Sequence, residues 1–319
     1  MECTYFTCDV FTRTPFGGNP LAVVTDATSL SDRQMQQIAR EFNYSETTFV
    51  LPPEDAGTHR VRIFTPTTEV PFAGHPNIGT AYTLCAQGLV PPETTELRFE
   101  EAAGLVPVTI RRISGDGGGI FCELRAPEAL SVGTEVVTLG TEADIALVAR
   151  AVGLETDEIV TRNHAPRVTS VGLPFLMVEV DNRETLGRAV PNIDAMRMLL
   201  AAGVTPDVHV YTRHAGNFDL QTRMFGPLDG VLEDPATGSA NCALVGLLTQ
   251  IEAAGESTGA TSASGAIERR FRISQGSEMG RPSELYARTV LDTSSTAASN
   301  LAVYIGGYSV DMRSGRFEI

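Results

Sequence analysis

Short apolar and β-branched runs dominate the opening of the chain. Tyr5–Phe11, Pro20–Thr25, Thr47–Leu51 and Arg60–Thr65 are separated by turn-forming residues, the pattern of successive strands. Between the second and third runs the period changes. Met35, Ile38, Ala39 and Phe42 fall at i, i+3, i+4 and i+7 behind Ser31 and Gln34, which have capping-box spacing. A helix is therefore expected after Ser31. Further helices are expected after Thr141 and after Asn192, the latter stopped by Gly203. Strand-like runs return at Arg270–Ser274, Glu284–Thr289 and Leu301–Ile305, and His209, Tyr211 and Arg213 alternate as in a strand.

The same patterns occur twice. HPNIGTA at His75–Ala81 reads like DPATGSA at Asp234–Ala240, an offset of 159 residues. Arg62-Ile63-Phe64-Thr65-Pro66 reads like Arg223-Met224-Phe225-Gly226-Pro227, an offset of 161. Gly18-Asn19-Pro20-Leu21 reads like Gly172-Leu173-Pro174-Phe175, an offset of 154. Two copies at a nearly constant offset imply two homologous α+β halves rather than a solenoid. The expected halves are 1–115, completed by a C-terminal strand at 305–319, and 116–304. The Gly-rich run Gly115–Gly119 is the candidate joint, and Gly255–Gly265 reads as a low-complexity loop.

Composition narrows the function. At 42% apolar and 20% charged residues, the 319-residue chain has the make-up of a globular protein. Its net charge of −15 disfavours nucleic acid and anionic membranes as partners. No apolar run approaches the roughly 18 residues of a membrane span. The five cysteines form no CxxC pair, and the first residues lack a signal-peptide pattern, so a reduced, cytoplasmic protein is expected. The sequence contains no Lys, which excludes Schiff-base, pyridoxal-phosphate and Walker-type chemistry. No metal-ligand spacing and no nucleotide-binding fingerprint is present, so neither a metal nor a nucleotide cofactor is expected.

Three features can carry chemistry. Ile78-Gly79-Thr80 and Gly238-Ser239-Ala240 read as helix starts, where free N–H groups, partial positive charge and a hydroxyl suit a carboxylate. The alternative is that these residues only cap and turn. His75 and Asp234 precede them: one titrates near neutrality, and the other is ordinarily ionised. The alternatives are a turn residue and a helix cap. Glu46 lies among Phe42, Tyr44, Phe49 and Val50, where partial desolvation would raise its pKa toward an acid/base value. The alternative is a solvent-facing Glu. No equivalent Glu stands out in the second half.

Several ordered motifs together resemble the PhzF family, the phenazine-biosynthesis isomerase-like proteins. They are Gly18-Asn19-Pro20-Leu21-Ala22-Val23, Ser45-Glu46-Thr47-Thr48-Phe49-Val50, Arg62-Ile63-Phe64-Thr65-Pro66, Pro71-Phe72-Ala73-Gly74-His75-Pro76 and Glu233-Asp234-Pro235-Ala236-Thr237-Gly238-Ser239-Ala240. Gln275-Gly276 and Gly280-Arg281-Pro282-Ser283 add a C-terminal marker. The resemblance implies a diaminopimelate epimerase-like fold: two pseudo-duplicated domains, each a curled sheet around a central helix, with an active site between them. It also implies a cofactor-independent homodimer. It implies that Glu46 is the catalytic proton shuttle, with His75 and Asp234 in support. Gly238 and Ser239 would hold a substrate carboxylate, Gly74 would line the opposite loop, and Ser45 and Asn19 complete the expected binding set. The expected reaction is proton movement within a small unsaturated or cyclic carboxylic acid, as in trans-2,3-dihydro-3-hydroxyanthranilate isomerisation. Related epimerases carry Cys before each loop; here His75 and Asp234 stand there, which argues against a two-thiol racemase. An amino- or hydroxy-acid epimerase and a non-catalytic carboxylate-binding protein are the competing readings.

Overall fold

The computed structural model describes residues 2–115, 117–133, 142–213, 216–256, 266–294 and 300–318. The chain forms two compact units: Met1–Arg125 with Arg281–Glu284 and Gly306–Ile319, and Ala126–Gly280 with Leu285–Ile305. Thr141, His214 and most of the 255–265 loop lie outside the described residues.

The first unit contains β1 (Glu2–Val10), β2 (Asn19–Val24), α1 (Asp32–Phe42), β3 (Glu46–Leu51), β4 (His59–Phe64), β5 (Glu69–Val70), α2 (Gly74–Ala86), β6 (Glu96–Glu101), β7 (Gly104–Ile113) and β8 (Gly119–Arg125). β1 pairs antiparallel with β2, β2 parallel with β3, β3 antiparallel with β4, β4 parallel with β6, and β6–β7–β8 continue antiparallel. The capping box behind α1 is formed: the Gln34 amide donates to the Ser31 hydroxyl, and the Ser31 amide donates to Gln34 Oε1. Asn43 closes α1 in the left-handed conformation at φ 53°, a role Asn fills where Gly is absent. Met35, Ile38 and Ala39 bury against Phe49 and Phe64, whose rings meet edge to face at 5.4 Å. That geometry adds about 0.5–1.5 kcal/mol beyond area burial.

α2 is apolar on every side, which suits only an interior helix. It is buried from Gly74 to Leu84 and packs on β1, β2, β3, β7 and β8. Its interior hydroxyls are paired: Thr80 with Thr48 at 2.8 Å, and Thr83 with the Cys8 sulfur at 3.7 Å. Gly79 lies inside this helix. A Cβ there would come within 2.5 Å of Leu21 and 2.7 Å of Val10. Gly79 and Thr80 are therefore packing residues, and the helix starts at Gly74. The expected carboxylate cradle at Ile78–Thr80 is corrected accordingly.

The second unit contains β9 (Ser131–Val132), α3 (Glu142–Ala151), β10 (Arg167–Ser170), β11 (Pro174–Glu179), α4 (Arg183–Arg188), α5 (Ile193–Ala201), β12 (Val208–Arg213), β13 (Leu220–Gly226), β14 (Val231–Asp234), α6 (Gly238–Glu256), β15 (Ala266–Gln275) and β16 (Ser283–Asp292). The last strand, β17 (Leu301–Glu318), begins in this unit. From Gly306 it belongs to the first unit, where it pairs antiparallel with β1 and closes a ring against β8. The first unit is thus a mixed barrel of strands around α2. In the second unit α6 takes the inner place, against β10 and β11, with Thr249 bonded to Thr289 of β16 at 2.8 Å. α3 and α5 cover the opposite face of β11 and β12 over Leu176, Val178, Val208 and Val210.

The Gly-rich run offered as a joint is the β7–β8 turn: Ile113 pairs with Gly119, and Gly118 donates to the Gly115 carbonyl at 2.9 Å. Asp116 lies outside the described residues. The chain passes from one unit to the other after Arg125.

The internal repeat has a register different from the one expected. Arg62 makes a bidentate pair with Glu69 at 2.7 and 2.7 Å, and Arg223 makes the same pair with Glu233 at 2.7 and 2.8 Å. Asn77 donates to the Ala73 carbonyl at 3.0 Å, and Asn241 to the Thr237 carbonyl at 2.9 Å. Both inner helices begin at the Gly of Pro-x-x-Gly. Glu69-Val70-Pro71-Phe72-Ala73-Gly74-His75-Pro76-Asn77 is therefore the counterpart of Glu233-Asp234-Pro235-Ala236-Thr237-Gly238-Ser239-Ala240-Asn241, an offset of 164. His75 matches Ser239, not Asp234. The likeness of HPNIGTA to DPATGSA places a mid-helix Gly against a helix-start Gly, so it does not correspond to structural equivalence.

Candidate active site

In the first unit, Glu46 opens β3 beside Leu21 of β2. Ser45 donates to Asn19 Oδ1 at 3.4 Å, and Asn19, fully buried, opens β2. The turn before Asn19 requires glycine: Gly18 has φ 62°, and a Cβ there would lie 2.2 Å from the Val10 carbonyl oxygen. Arg281 pins this turn by donating to the carbonyls of Gly17 and Gly18 at 2.8 Å each and to Asp9 at 2.6 Å.

His75 is the second residue of α2 and only 5% exposed. Its Nδ1 lies 3.5 Å from Glu46 Oε2. Burial pushes the imidazole down to about 3, opposed by a hydrogen bond to the Pro20 carbonyl. The pair therefore is not a salt bridge near neutral pH; a neutral ring faces the carboxyl group. Nε2 is buried with no hydrogen-bond partner among the described residues. Ala73 gives α2 no side-chain cap, which leaves the first-turn N–H groups around Gly74 without that partner.

In the second unit, Asp234 ends β14 and is 8% exposed. The Thr237 hydroxyl donates to Asp234 Oδ2 at 2.5 Å. Gly238 is the first and Ser239 the second residue of α6, the places that Gly74 and His75 take in α2. The structure thus groups Glu46, His75, Ser45, Asn19 and Gly74 in one half-site, and Asp234, Gly238 and Ser239 in the other. Each half-site combines a carboxylate with a helix start and carries no Lys.

Some residues of these half-sites were not singled out from the sequence. Thr237 was quoted only inside a motif, and Gln275 only as a marker. Asp207 was missed. The ladder pairs Ala22–Thr47 and Thr47–Phe64 correspond to Leu176–Val208 and Val208–Phe225, so Asp207 is the counterpart of Glu46. Burial and neighbouring Asp229 raise its pKa. The change from Glu to Asp hid it. Among the described residues, no three His, Cys, Asp or Glu side chains are grouped to hold a metal. Cys242 is buried and Cys85 partly so; burial raises both thiols, so neither is a ready thiolate. His59, His164 and His209 lie in strand or core settings, His164 against Tyr211 at 2.6 Å.

A mixed sheet wrapped on an inner helix, present in two related copies, defines the architecture shared by isomerases and epimerases of the diaminopimelate epimerase-like fold. A hydroxyproline epimerase from Agrobacterium vitis matches it with TM-score 0.58 and 14% identity over 99% of this chain and 92% of its own, a likeness of fold alone. The chain belongs to the phenazine biosynthesis-like (PhzC–PhzF) family, whose model matches residues 8–315. An uncharacterized isomerase from Mesorhizobium japonicum is 35% identical over 99% of this chain and 98% of its own. Trans-2,3-dihydro-3-hydroxyanthranilate isomerase from Pseudomonas aeruginosa is 35% identical over 89% of each chain. The crystal structure of a PhzF-family phenazine biosynthesis protein from Bacillus anthracis matches with TM-score 0.83, 26% identity and full coverage of both chains. The protein is an isomerase of the PhzF type. Among the described residues, no helix is long and apolar enough to cross a membrane.

Proposed function

We propose that this protein moves a proton within a small unsaturated or cyclic carboxylic acid without a cofactor, and that Glu46 carries the proton. The observation that supports this most is Glu46 held 3.5 Å from a buried histidine whose environment keeps it neutral. A neutral imidazole lies beside the carboxyl group and does not hold it as the anion of an ion pair. The carboxylate removes a proton beside the conjugated system, and the resulting charge spreads over the substrate. The same oxygen then returns the proton to another carbon. One positioned carboxylate contributes roughly 10²–10⁴-fold. The helix-start donors at Gly238 and Ser239 suit a carboxylate, and Asp234 suits a hydrogen bond to a polar substituent.

The five unpaired cysteines support a reducing, cytoplasmic setting, and the family resemblance suggests a homodimer. The buried Cys242 and partly buried Cys85, both raised by burial, weigh against a two-thiol epimerase. The test is ¹H NMR in D₂O with trans-2,3-dihydro-3-hydroxyanthranilate and a panel of amino and hydroxy acids. Isomerisation shifts a double bond, and solvent deuterium enters at the new carbon to the extent that the proton on Glu46 exchanges before it is returned. Exchange and inversion at an α-carbon without a double-bond shift would contradict the proposal.

A further inference from the structure

The Asp234 loop is tied to the body of its unit by one side chain that bonds both of its ends. Gln275 ends β15, is fully buried and lies across the parallel ladder from Thr222 of β13. Its Nε2 donates to the Asp234 carbonyl at 2.8 Å and to the Thr237 hydroxyl at 3.0 Å. Its Oε1 accepts from the Thr237 amide at 3.2 Å, from Asn241 Nδ2 at 2.8 Å and from the Thr222 hydroxyl at 3.3 Å. Only one orientation of the amide satisfies these partners, because the Asp234 carbonyl cannot donate and the Thr237 amide cannot accept. The direction then propagates. Thr237 receives a proton from Gln275, so its own hydroxyl proton goes to Asp234 Oδ2 at 2.5 Å. Asn241 Nδ2 also donates to the Thr237 carbonyl, and its Oδ1 faces His209 Nε2 at 3.3 Å. Burial lowers His209 to about 4, so that neutral ring is the donor. Every hydrogen bond in this buried chain has one sense, and the chain ends by donating to Asp234.

We propose that Gln275 is the positioning residue of the second half-site, fixing Asp234 as a hydrogen-bond acceptor toward Thr237 and setting the loop that leads into α6. This rests on the reading of Asp234 as a group that acts on the substrate. Gly238 and Ser239 lie within α6, whose own backbone bonds hold them, whereas Asp234 depends on Thr237 and Gln275. Loss of Gln275 should therefore act mainly on turnover.

The experiment compares wild type, Gln275→Leu and Gln275→Glu with trans-2,3-dihydro-3-hydroxyanthranilate from pH 5 to 9. Amide hydrogen exchange of Thr237 and of the α6 interior is measured on the same samples. Gln275→Leu should lower kcat about tenfold to a hundredfold, as a misplaced group does, with KM changed less than about threefold. In the same variant Thr237 exchange should rise about tenfold, with α6 interior exchange unchanged. In Gln275→Glu the neutral carboxylic acid can still donate to this loop, but the carboxylate cannot. Its kcat should approach wild type near pH 5 and fall toward the Leu variant as the introduced group ionises, a limb absent from wild type. A merely structural role would lower stability without creating that limb. Wild-type exchange at Thr237 in Gln275→Leu, or the same pH profile in wild type and Gln275→Glu, overturns the proposal. If wild type does not turn over this substrate, the functional reading for it fails, and the exchange measurement still decides the clamp.

Discussion

Replacing His75 with Gln should flatten the acid sensitivity of folding. In the native state His75 titrates at about 3 because burial disfavours the imidazolium. In the unfolded chain an ordinary histidine titrates near 6.5. Above that pH both states hold a neutral ring and His75 contributes nothing to the pH dependence. As pH falls below about 6.5 the unfolded chain takes up a proton that the folded chain refuses, so stability drops, and the loss levels off only near pH 3. Each pH unit in that window costs about 1.4 kcal/mol, so moving from pH 8 to pH 5 costs about 2 kcal/mol from this residue. Gln keeps a donor for the Pro20 carbonyl but does not titrate. Urea unfolding followed by far-UV circular dichroism at pH 8 and pH 5 reads the effect as the wild-type change minus the variant change, in which the other titrating groups cancel. A difference near 2 kcal/mol is expected. Parallel behaviour of the two proteins would mean that His75 is solvated or charged in the native state, and the description of a neutral ring beside Glu46 would be wrong.

Gly79→Ala should destabilise by about 1–3 kcal/mol through overpacking against Leu21 and Val10, read as a lower thermal midpoint, because that Gly is inside α2. Arg223→Met should cost about 3–5 kcal/mol by leaving Glu233 unpaired, since the two side chains are 8% and 13% exposed. Arg62→Met should cost less, because Glu69 is 38% exposed; equal losses in urea unfolding would refute this reasoning. Thr237→Val should lower kcat for trans-2,3-dihydro-3-hydroxyanthranilate about tenfold by removing the donor to Asp234 Oδ2, and an unchanged kcat would show that this bond plays no part in turnover.

Much of the fold is legible in the sequence because its signals are local. The capping box at Ser31 and Gln34 and the apolar stripe of α1 need only neighbouring residues, and both are formed as read. The duplication is legible as well, but its register is not. HPNIGTA and DPATGSA share Pro, Gly and Ala at the same places, whereas the structural counterparts are identified by the bonds they share: Arg62 to Glu69, Arg223 to Glu233, and Asn to the residue before each helix. The α2 start at Gly74 was hidden for the same reason, since Gly79 reads as a turn former until the strands that press on it are known. Glu46 was visible as a lone charge among apolar residues, but His75 came to its side only through the family resemblance, because the two lie 29 positions apart in sequence. Gln275 carries no signal beyond its place in a motif, since its role depends on five bonds to Thr222, Asp234, Thr237 and Asn241.

The most direct test of the central claim is Glu46→Gln assayed with trans-2,3-dihydro-3-hydroxyanthranilate in D₂O, with substrate affinity measured alongside. The variant keeps the shape of the side chain and its ability to hydrogen-bond, and loses only the capacity to take a proton. Proton transfer and deuterium incorporation should fall about 10²–10⁴-fold while affinity stays within about threefold of wild type. Turnover and deuterium incorporation at the wild-type rate would show that another group moves the proton, and Glu46 would lose the role assigned to it.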